Sequence, residues 1–183
     1  MAYKVWLVDH PPYAAYWSDE RRASTANSLK AHFDAVCRAG KAGYSTTDVT
    51  WANSGGNRKP EHLVIHFFRR NTDGLLYMWG QRTGLEKSGA TMWRPEKNAV
   101  VSEVYVETMD GDSNFGHLAA NLAFHEAMHN KLDTYPTYSK FDVHRIPGGS
   151  LSRDNPPLSS GTPLSTADAK AMVPGLKRAI PQW

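Results

Sequence analysis

Cysteine is nearly absent from this chain: Cys37 is the only one among its 183 residues. An intrachain disulfide and a metal site built from several thiolates are therefore both excluded. Long apolar runs are absent as well, and none approaches the roughly 20 residues that a helix needs to cross a bilayer. We therefore expect a protein without a membrane span, folded as a single domain over residues 1–183.

A long run of one charge is also missing. The 21 lysine and arginine residues slightly outnumber the 18 aspartate and glutamate residues, which gives a net charge of +3. The basic residues are scattered in short pairs such as Arg21-Arg22 and Arg69-Arg70. This pattern falls short of the clustered basic face that is typical of nucleic-acid binding, so we expect no nucleic-acid partner.

The spacing of apolar residues predicts an α+β fold with a small mixed or antiparallel sheet. Alternating or short apolar runs indicate strands, and apolar side chains at steps of three and four indicate helices. The turn signal at residues 71–74 separates two apolar runs, 62–69 and 75–79, and predicts a β-hairpin. Further strands are predicted at 3–8, 47–52 and 100–108, and helices at 18–39, from Ser113 or Asn114 to about Lys131, and from Ser165 or Thr166 to Pro174.

Residues 125–129 form the pattern H-E-x-x-H within the second predicted helix. Side chains four positions apart lie on one side of a helix, about 6 Å apart along its axis, so His125 and His129 can bind one metal ion. Glu126 can take a proton from a water molecule that the metal activates, without being a ligand itself. The motif predicts a Zn²⁺ site; the alternative is a helix whose histidines and glutamate are paired within the core.

Catalytic zinc usually has three protein ligands and a water molecule, so a third ligand must come from elsewhere. His144 follows Pro136, where the chain can turn back, and its neighbour Asp142 could ligate instead or orient a histidine. Asp133 lies too far along the helix axis to share an ion with His125, and is a turn residue or a hydrogen-bond acceptor behind a ligand. We predict His144 as the third ligand, with Asp142 or an upstream carboxylate as alternatives.

His62 and His66 are also four positions apart, but they fall in a predicted strand. In a strand that spacing corresponds to roughly 13 Å, which is too far for one ion. We therefore interpret both as packing or surface histidines.

Tyr135 and Tyr138 follow the motif helix closely. A phenol near zinc can donate a hydrogen bond to the oxyanion that forms during hydrolysis, so both are candidate catalytic residues, with a structural role as the alternative. The edge of the strand at 100–108 could hold an extended peptide by β-addition. The Pro-, Gly- and Ser-rich segment 147–163 could form a wall or lid of the same cleft.

The H-E-x-x-H helix and the strand before it, about 30 residues together, resemble the zincin metallopeptidases. The resemblance implies a mixed sheet whose edge strand borders the cleft, zinc held by His125 and His129, and Glu126 as general base and acid. The sequence departs from two subgroups. Leu132 and Tyr135 stand where metzincins have glycine and a third histidine, and residues 165–179 lack the glutamate expected of a thermolysin-like second helix.

The longer string H-E-A-M-H-N-K, followed by Asp142-x-His144 and Gly148-Gly149-Ser150-Leu151, resembles small bacterial metallopeptidase domains. Some of these are attached to, or delivered by, type VI and related contractile secretion systems. The resemblance implies His144 as the third ligand, and a secretion-machine carrier or an immunity protein as partner. The first nine residues lack the apolar core of a signal peptide, so we expect synthesis in the cytoplasm and, for an effector, delivery by such a system.

These observations predict a zinc-dependent metallopeptidase that hydrolyses peptide or protein substrates, as an antibacterial or host-directed effector. Two alternatives stay open. One is a metal-dependent nuclease toxin that uses His129, Asn130 and His144, and the other is a binding module without catalytic activity.

Overall fold

The computed structural model describes residues 1–10, 17–52, 60–80, 88–109, 111–133, 142–153 and 158–183. These residues form a five-stranded mixed sheet and four α-helices, which confirms the α+β class. The strands are β1 (Ala2–Asp9), β2 (Thr46–Ala52), β3 (Leu63–Phe68), β4 (Gly89–Arg94) and β5 (Ala99–Tyr105). The helices are α1 (Asp19–Ala39), α2 (Leu75–Met78), α3 (Phe115–Leu132) and α4 (Thr166–Met172).

The sheet has the order β2-β1-β3-β5-β4. Strands β2, β1, β3 and β5 run parallel to one another. Strand β4, at one edge, runs antiparallel to β5. Helix α1 connects β1 to β2, and α3 follows β5. The larger apolar core joins side chains of the inner strands, such as Leu7 and Ile65, to Phe33 of α1 and Phe124 of α3.

Helix α1 forms as its sequence predicts. The side chain of Ser18 accepts a hydrogen bond from the backbone N–H of Arg21 (3.2 Å) and caps the helix start. Its buried side includes Leu29, Phe33 and Cys37, so the single cysteine is a packed core residue. The predicted strands β1, β2 and β3 and the helices α3 and α4 are confirmed to within a few residues.

Helix α3 is buried on nearly every side rather than along one stripe. It packs against α1, β4 and β5 at once. A helix enclosed in this way can present different side chains to different layers of the protein. Within the described residues no helix is both long enough and apolar enough to cross a membrane.

The predicted β-hairpin at residues 62–79 is wrong. Residues 71–73 form a turn of 3₁₀-helix and 75–78 form α2, while β3 pairs in parallel with β1 and β5. A short apolar run does not distinguish a strand from a buried helical turn, and here a tertiary contact decides. The carboxylate of Glu103 on β5 accepts a hydrogen bond from the backbone N–H of Leu76 (3.0 Å), which a helix start leaves available.

The predicted strand at residues 100–108 is not an edge strand. It ends at Tyr105, residues 106–109 turn into a 3₁₀-helix, and β4 covers its outer side. The edge strand β4 was not predicted, because its sequence, GATMWR, lacks clear alternation of apolar and polar residues. Pairing with β5 and contact with α3 hold it in place instead.

Glu103 is a fully buried carboxyl group on β5, the strand next to the edge strand β4. Burial raises its pKa from the ordinary value of 4.5 to about 7, and hydrogen bonds from Leu76 and Tyr105 offset only part of this effect. The Tyr105 hydroxyl donates to its second oxygen at 2.8 Å. Glu103 therefore carries a proton in the folded protein over a pH range in which an exposed glutamate is ionised.

This raised pKa makes the free energy of unfolding depend on pH. From about pH 4.5 to about pH 7 the folded state keeps a proton that the unfolded state has lost, so this group's contribution falls as the pH rises, by roughly 3 kcal/mol in total. Glu103→Gln removes this fall. We expect the stability of the variant, relative to the parent, to increase between about pH 5 and about pH 8 in urea unfolding of the metal-free protein.

Glu107→Gln is the matched control, because Glu107 follows the same strand but is partly exposed. A hydrogen bond from Arg70 lowers the pKa of Glu107, so that carboxyl group is already ionised in both states across this range. Its variant should show a constant difference from the parent. A constant difference for Glu103→Gln as well would contradict a protonated Glu103.

Candidate metal centre

Three histidine side chains converge at one end of α3. His125 and His129 lie one helical turn apart on α3, and His144 comes from a short 3₁₀-helix at Val143–Arg145. The Nε2 atom of His129 lies 3.2 Å from that of His125 and 3.1 Å from that of His144. Their possible ligand atoms all lie within 4.8 Å of one another, so the three side chains lie close enough to hold a metal ion.

Hydrogen bonds at the Nδ1 atoms of His125 and His129 determine which nitrogen of each ring carries the hydrogen. The Nδ1 of His125 lies 2.7 Å from the carbonyl oxygen of Leu151, and the Nδ1 of His129 lies 2.7 Å from the carboxylate of Asp133. Both partners are acceptors, so each Nδ1 must carry the hydrogen. In a neutral imidazole the Nε2 atom then presents a lone pair, which is the form that binds a metal.

Converging lone pairs repel one another unless a positive charge lies between them. A single proton can join only two of the three nitrogens, whereas a metal ion can accept all three. In tetrahedral zinc sites with bonds of about 2.0–2.1 Å, neighbouring nitrogens lie about 3.3 Å apart. The observed separations of 3.2 and 3.1 Å are close to this value. The donor set therefore fits zinc, and among the described residues it consists of three histidines.

Asp142 supports His144 rather than replacing it. Its Oδ1 accepts a hydrogen bond from the backbone N–H of His144 (3.0 Å), and its Oδ2 lies 3.1 Å from Nε of Arg145. Among the described residues, the group of possible ligand atoms contains the three histidines and not Asp142. The predicted alternative in which Asp142 serves as the third donor is therefore not the arrangement found.

The carbonyl group that holds His125 is itself fixed by a buried aspartate. The Oδ2 atom of Asp168, on α4, accepts hydrogen bonds from the backbone N–H groups of Ser150 (2.7 Å) and Leu151 (2.8 Å). Gly149 lies so close to this carboxylate that a Cβ atom would sit 2.7 Å from Oδ1. Burial alone would raise the pKa of Asp168, but the surrounding donors outweigh it and hold the pKa below its ordinary value.

The C-terminal end of α3 is also anchored. Arg178 donates hydrogen bonds to the carbonyl oxygens of Lys131 (2.8 Å), Leu132 (3.3 Å) and Asp133 (3.3 Å), which a helix end leaves without internal partners. Asp133 is thereby held where its carboxylate reaches His129. This confirms Asp133 as a hydrogen-bond acceptor for His129, a candidate ligand.

The buried ammonium group of Lys131 adds a second anchor. It lies 3.3–3.4 Å from the carbonyl oxygens of Glu61, His62 and Arg178. Burial, together with the positive charge of Arg178, lowers its pKa from the ordinary value of 10.5 to about 7. The end of the motif helix is therefore tied to the segment before β3 and to the C-terminal segment.

Glu126 is buried between α3 and the edge strand. Its Oε2 accepts a hydrogen bond from the hydroxyl of Thr91 on β4 (2.7 Å). A Cβ atom at Gly89, on the same strand, would lie 2.5 Å from Oε1 and 2.9 Å from the backbone oxygen of Glu103, so a glycine is favoured there. Two residues of β4, Gly89 and Thr91, thus restrict the carboxylate that the motif predicts to act as a base.

The remaining candidate residues lie outside the three-histidine group or outside the described residues. Tyr135 and Tyr138 lie outside the described residues, so their proposed roles stay predictions. His66 is buried in β3 and contacts His10 (Nδ1 to Nε2, 2.8 Å), as expected for a packing histidine. His62 precedes β3 and is not part of the three-histidine group.

The residues that sequence reasoning missed lie far from the motif along the chain. Thr91 and Gly89 belong to a strand without a clear pattern, and Asp168 carries no signal in the sequence other than that of an acidic residue in the first turn of a predicted helix. The double glycine at 148–149 is visible in the sequence, but the sequence does not show that Asp168 lies against it. No protein-family model, no curated protein and no solved structure matches the chain.

The geometry predicts how zinc affinity responds to substitution. His144→Ala removes one of three nitrogen donors and should weaken zinc binding on the order of 100-fold or more, whereas Asp133→Asn weakens the acceptor behind His129 and should cost about 10-fold. Competition with a chromogenic chelator measures both. His117→Ala, at an exposed histidine of the same helix, should leave the affinity unchanged. Parental affinity in His144→Ala would exclude His144 as a ligand.

Proposed function

We propose that this chain is a zinc-dependent metallopeptidase. His125, His129 and His144 would hold the ion, and Glu126 would act as general base and then general acid. The observation that carries the proposal is the convergence of three Nε2 atoms at 3.1–3.2 Å, with acceptors fixed on the outer nitrogens of His125 and His129. Such a set of neutral donors is typical of catalytic zinc sites.

Zinc in this site would supply Lewis-acid polarisation of a carbonyl group and a lowered pKa for water. The protein supplies the proton transfers. Glu126 follows a ligand directly on α3, and Thr91 and Gly89 restrict its carboxylate. It would accept a proton from the attacking water and deliver it to the leaving amine, so that one residue serves both steps.

The edge strand β4 supports a peptide as the substrate. Its inner side pairs with β5, and within the described part of the sheet no strand pairs with its outer side. An extended peptide can add to such an edge through backbone hydrogen bonds. Thr91 of β4 contacts Glu126, so a peptide bound there would lie beside the proposed base. In this proposal β4, and not the strand predicted at 100–108, would hold the extended peptide.

The structure of Asn130 weakens the nuclease alternative. That alternative needs the Asn130 side chain at the metal, but the residue is fully buried and its amide nitrogen is bonded to Ser102 (2.9 Å) and Gln182 (2.8 Å). A binding module without a metal gives no reason for three imidazoles to converge. Delivery by a contractile secretion system, with a carrier or immunity protein, remains a proposal based on the resemblance of the motif region.

Glu126→Gln tests the catalytic assignment. The variant keeps the shape of the side chain but cannot accept a proton, so hydrolysis should fall by about 100-fold or more while zinc affinity stays unchanged. The zinc-loaded protein is assayed against fluorescein-labelled casein and a mixture of internally quenched peptides. Glu107→Gln, a partly exposed carboxylate away from the histidines, is the control and should keep parental activity. Full activity in Glu126→Gln would exclude it as the base.

A further inference from the structure

One short segment of the chain, residues 144–151, takes part in the positions of two of the three histidines. It begins at His144, a candidate ligand, and ends at Leu151, whose carbonyl oxygen lies 2.7 Å from Nδ1 of His125. Val143, just before the segment, and Leu151 are both buried in the larger core. A shift of the segment would therefore move His144 and the acceptor of His125 together.

Consecutive turns fold this segment. The backbone N–H groups of Arg145, Ile146 and Gly149 donate to the carbonyl oxygens three positions earlier, at 3.0, 3.3 and 3.0 Å. Gly148 between them has a φ of 75°, in the left-handed region that favours glycine. Short turns of this kind are marginally stable on their own, so the position of the segment depends on what holds its far end.

The far end is held by the carboxylate of Asp168. Its Oδ2 accepts hydrogen bonds from the backbone N–H groups of Ser150 (2.7 Å) and Leu151 (2.8 Å). A backbone N–H can only donate and an ionised carboxylate can only accept, so the direction of both bonds is fixed. The Asp168 carboxylate is ionised, since the surrounding donors outweigh burial and hold its pKa below the ordinary value. Hydrogen bonds to an ionised acceptor are roughly twice as strong as neutral ones.

Helix α4 holds Asp168 in turn. The Ser165 hydroxyl oxygen accepts a hydrogen bond from the backbone N–H of Asp168 (3.0 Å), and its proton is donated to Oδ2 of the same residue (2.9 Å). This arrangement caps the start of α4. Ala169 and Met172 of α4 are buried in the larger core. The carboxylate therefore joins the segment to a helix that is fixed in the body of the protein.

We propose that Asp168 is a positioning residue for the metal centre: it anchors the segment 144–151 and so holds His144 and the acceptor of His125 in place at once. The inference rests on the proposed zinc site and does not need peptidase activity. Asp133 serves the remaining histidine, His129, by a direct contact. Two carboxylates, one of which acts through the backbone, thus support the whole donor set.

Asp168 acts on His125 by selecting its tautomer. While the Leu151 carbonyl oxygen is in place, Nδ1 of His125 must carry the hydrogen, and Nε2 presents the lone pair that binds a metal. When the segment moves away, the two tautomers become closer in energy and the metal-binding form loses population. His129 keeps its tautomer, because its acceptor belongs to the end of α3.

Asp168→Ala tests this role in the metal-free protein. Long-range ¹H–¹⁵N spectra distinguish the two tautomers of a neutral imidazole, and at about pH 8 an ordinary histidine is neutral. The parent should show the Nδ1–H form at His125 and His129. In Asp168→Ala, His125 should become a mixture of tautomers while His129 stays in the Nδ1–H form. Asp133→Ala is the matched variant and should give the opposite pattern.

Zinc affinity and the visible absorption of the Co²⁺-loaded protein provide a second readout. Asp168→Ala should weaken zinc binding on the order of 10- to 100-fold and change the Co²⁺ spectrum, because two donors lose their fixed positions. Asp168→Asn can turn its oxygen toward the N–H groups of Ser150 and Leu151. It should therefore recover most of the affinity and the Nδ1–H form of His125.

Met172→Ala is the control for a general loss of stability. Met172 is fully buried, one turn beyond Asp168 on α4, so its truncation should lower the Tm by about 5 °C or more. The tautomer of His125 and the zinc affinity should stay parental. If Met172→Ala also releases His125, the effect is a loosening of α4 as a whole and the proposal is overturned.

Gly149→Ala disturbs the same contact with Asp168 still present. A Cβ atom there would lie 2.1 Å from Oγ of Ser152 and 2.7 Å from Oδ1 of Asp168, so it must displace the segment from the carboxylate. This variant should show the same pattern as Asp168→Ala, more weakly, and it replaces Asp168→Ala if that variant does not fold. A parental His125 tautomer with parental zinc affinity in the variant that folds would overturn the proposal.

The two proposals fail in different ways. If the zinc-loaded parent hydrolyses no peptide, the peptidase assignment falls, while the tautomers and the zinc affinity still decide the role of Asp168. If Glu126→Gln alone abolishes hydrolysis and Asp168→Ala keeps the parental tautomer and zinc affinity, the peptidase proposal survives and the anchoring role is excluded.

Discussion

The hydrogen bonds at the Nδ1 atoms of His125 and His129 determine which chemistry this site can support. A carbonyl oxygen and a carboxylate each require Nδ1 to carry the hydrogen, and each therefore turns a lone pair toward the same point as His144. Without these acceptors the rings could change tautomer and form ordinary hydrogen bonds with one another. With them, the convergence is electrostatically unfavourable until a cation binds, so the arrangement makes sense as a metal site prepared in advance.

The period of the helix explains how one short motif serves two tasks. Residues four apart share a side of a helix, and neighbouring residues are rotated by about 100°. His125 and His129 therefore form one pair that meets His144, while Glu126 and Asn130 form a second pair, one position along, that meets the edge of the sheet. The burial of α3 on nearly all sides follows from this arrangement, because both pairs need partners within the protein.

Local patterns predicted most of the elements and the three central residues of the motif. The i, i+4 spacing places His125 and His129 correctly whatever the fold, and the chain length after α3 allowed His144 to return. The edge strand β4 could not be predicted, since pairing with β5 and contact with α3 hold it and its own sequence carries little signal. Residues 75–78 became helical for a similar reason: Glu103, distant in sequence, accepts a backbone hydrogen bond there.

The C-terminal part of the chain connects these observations, because it supports both histidines of the H-E-x-x-H motif by separate routes. One route fixes the backbone segment whose carbonyl oxygen faces the first histidine, and a second caps the end of α3 and so places the acceptor of the second histidine. The residues that begin these routes are Asp168 and Arg178. Each route consists of buried or half-buried hydrogen bonds whose loss would leave a polar group without its partner, so the geometry of the site and the stability of the fold depend on the same contacts. These contacts bring the three ring nitrogens together, and a bound metal ion would relieve the repulsion between them.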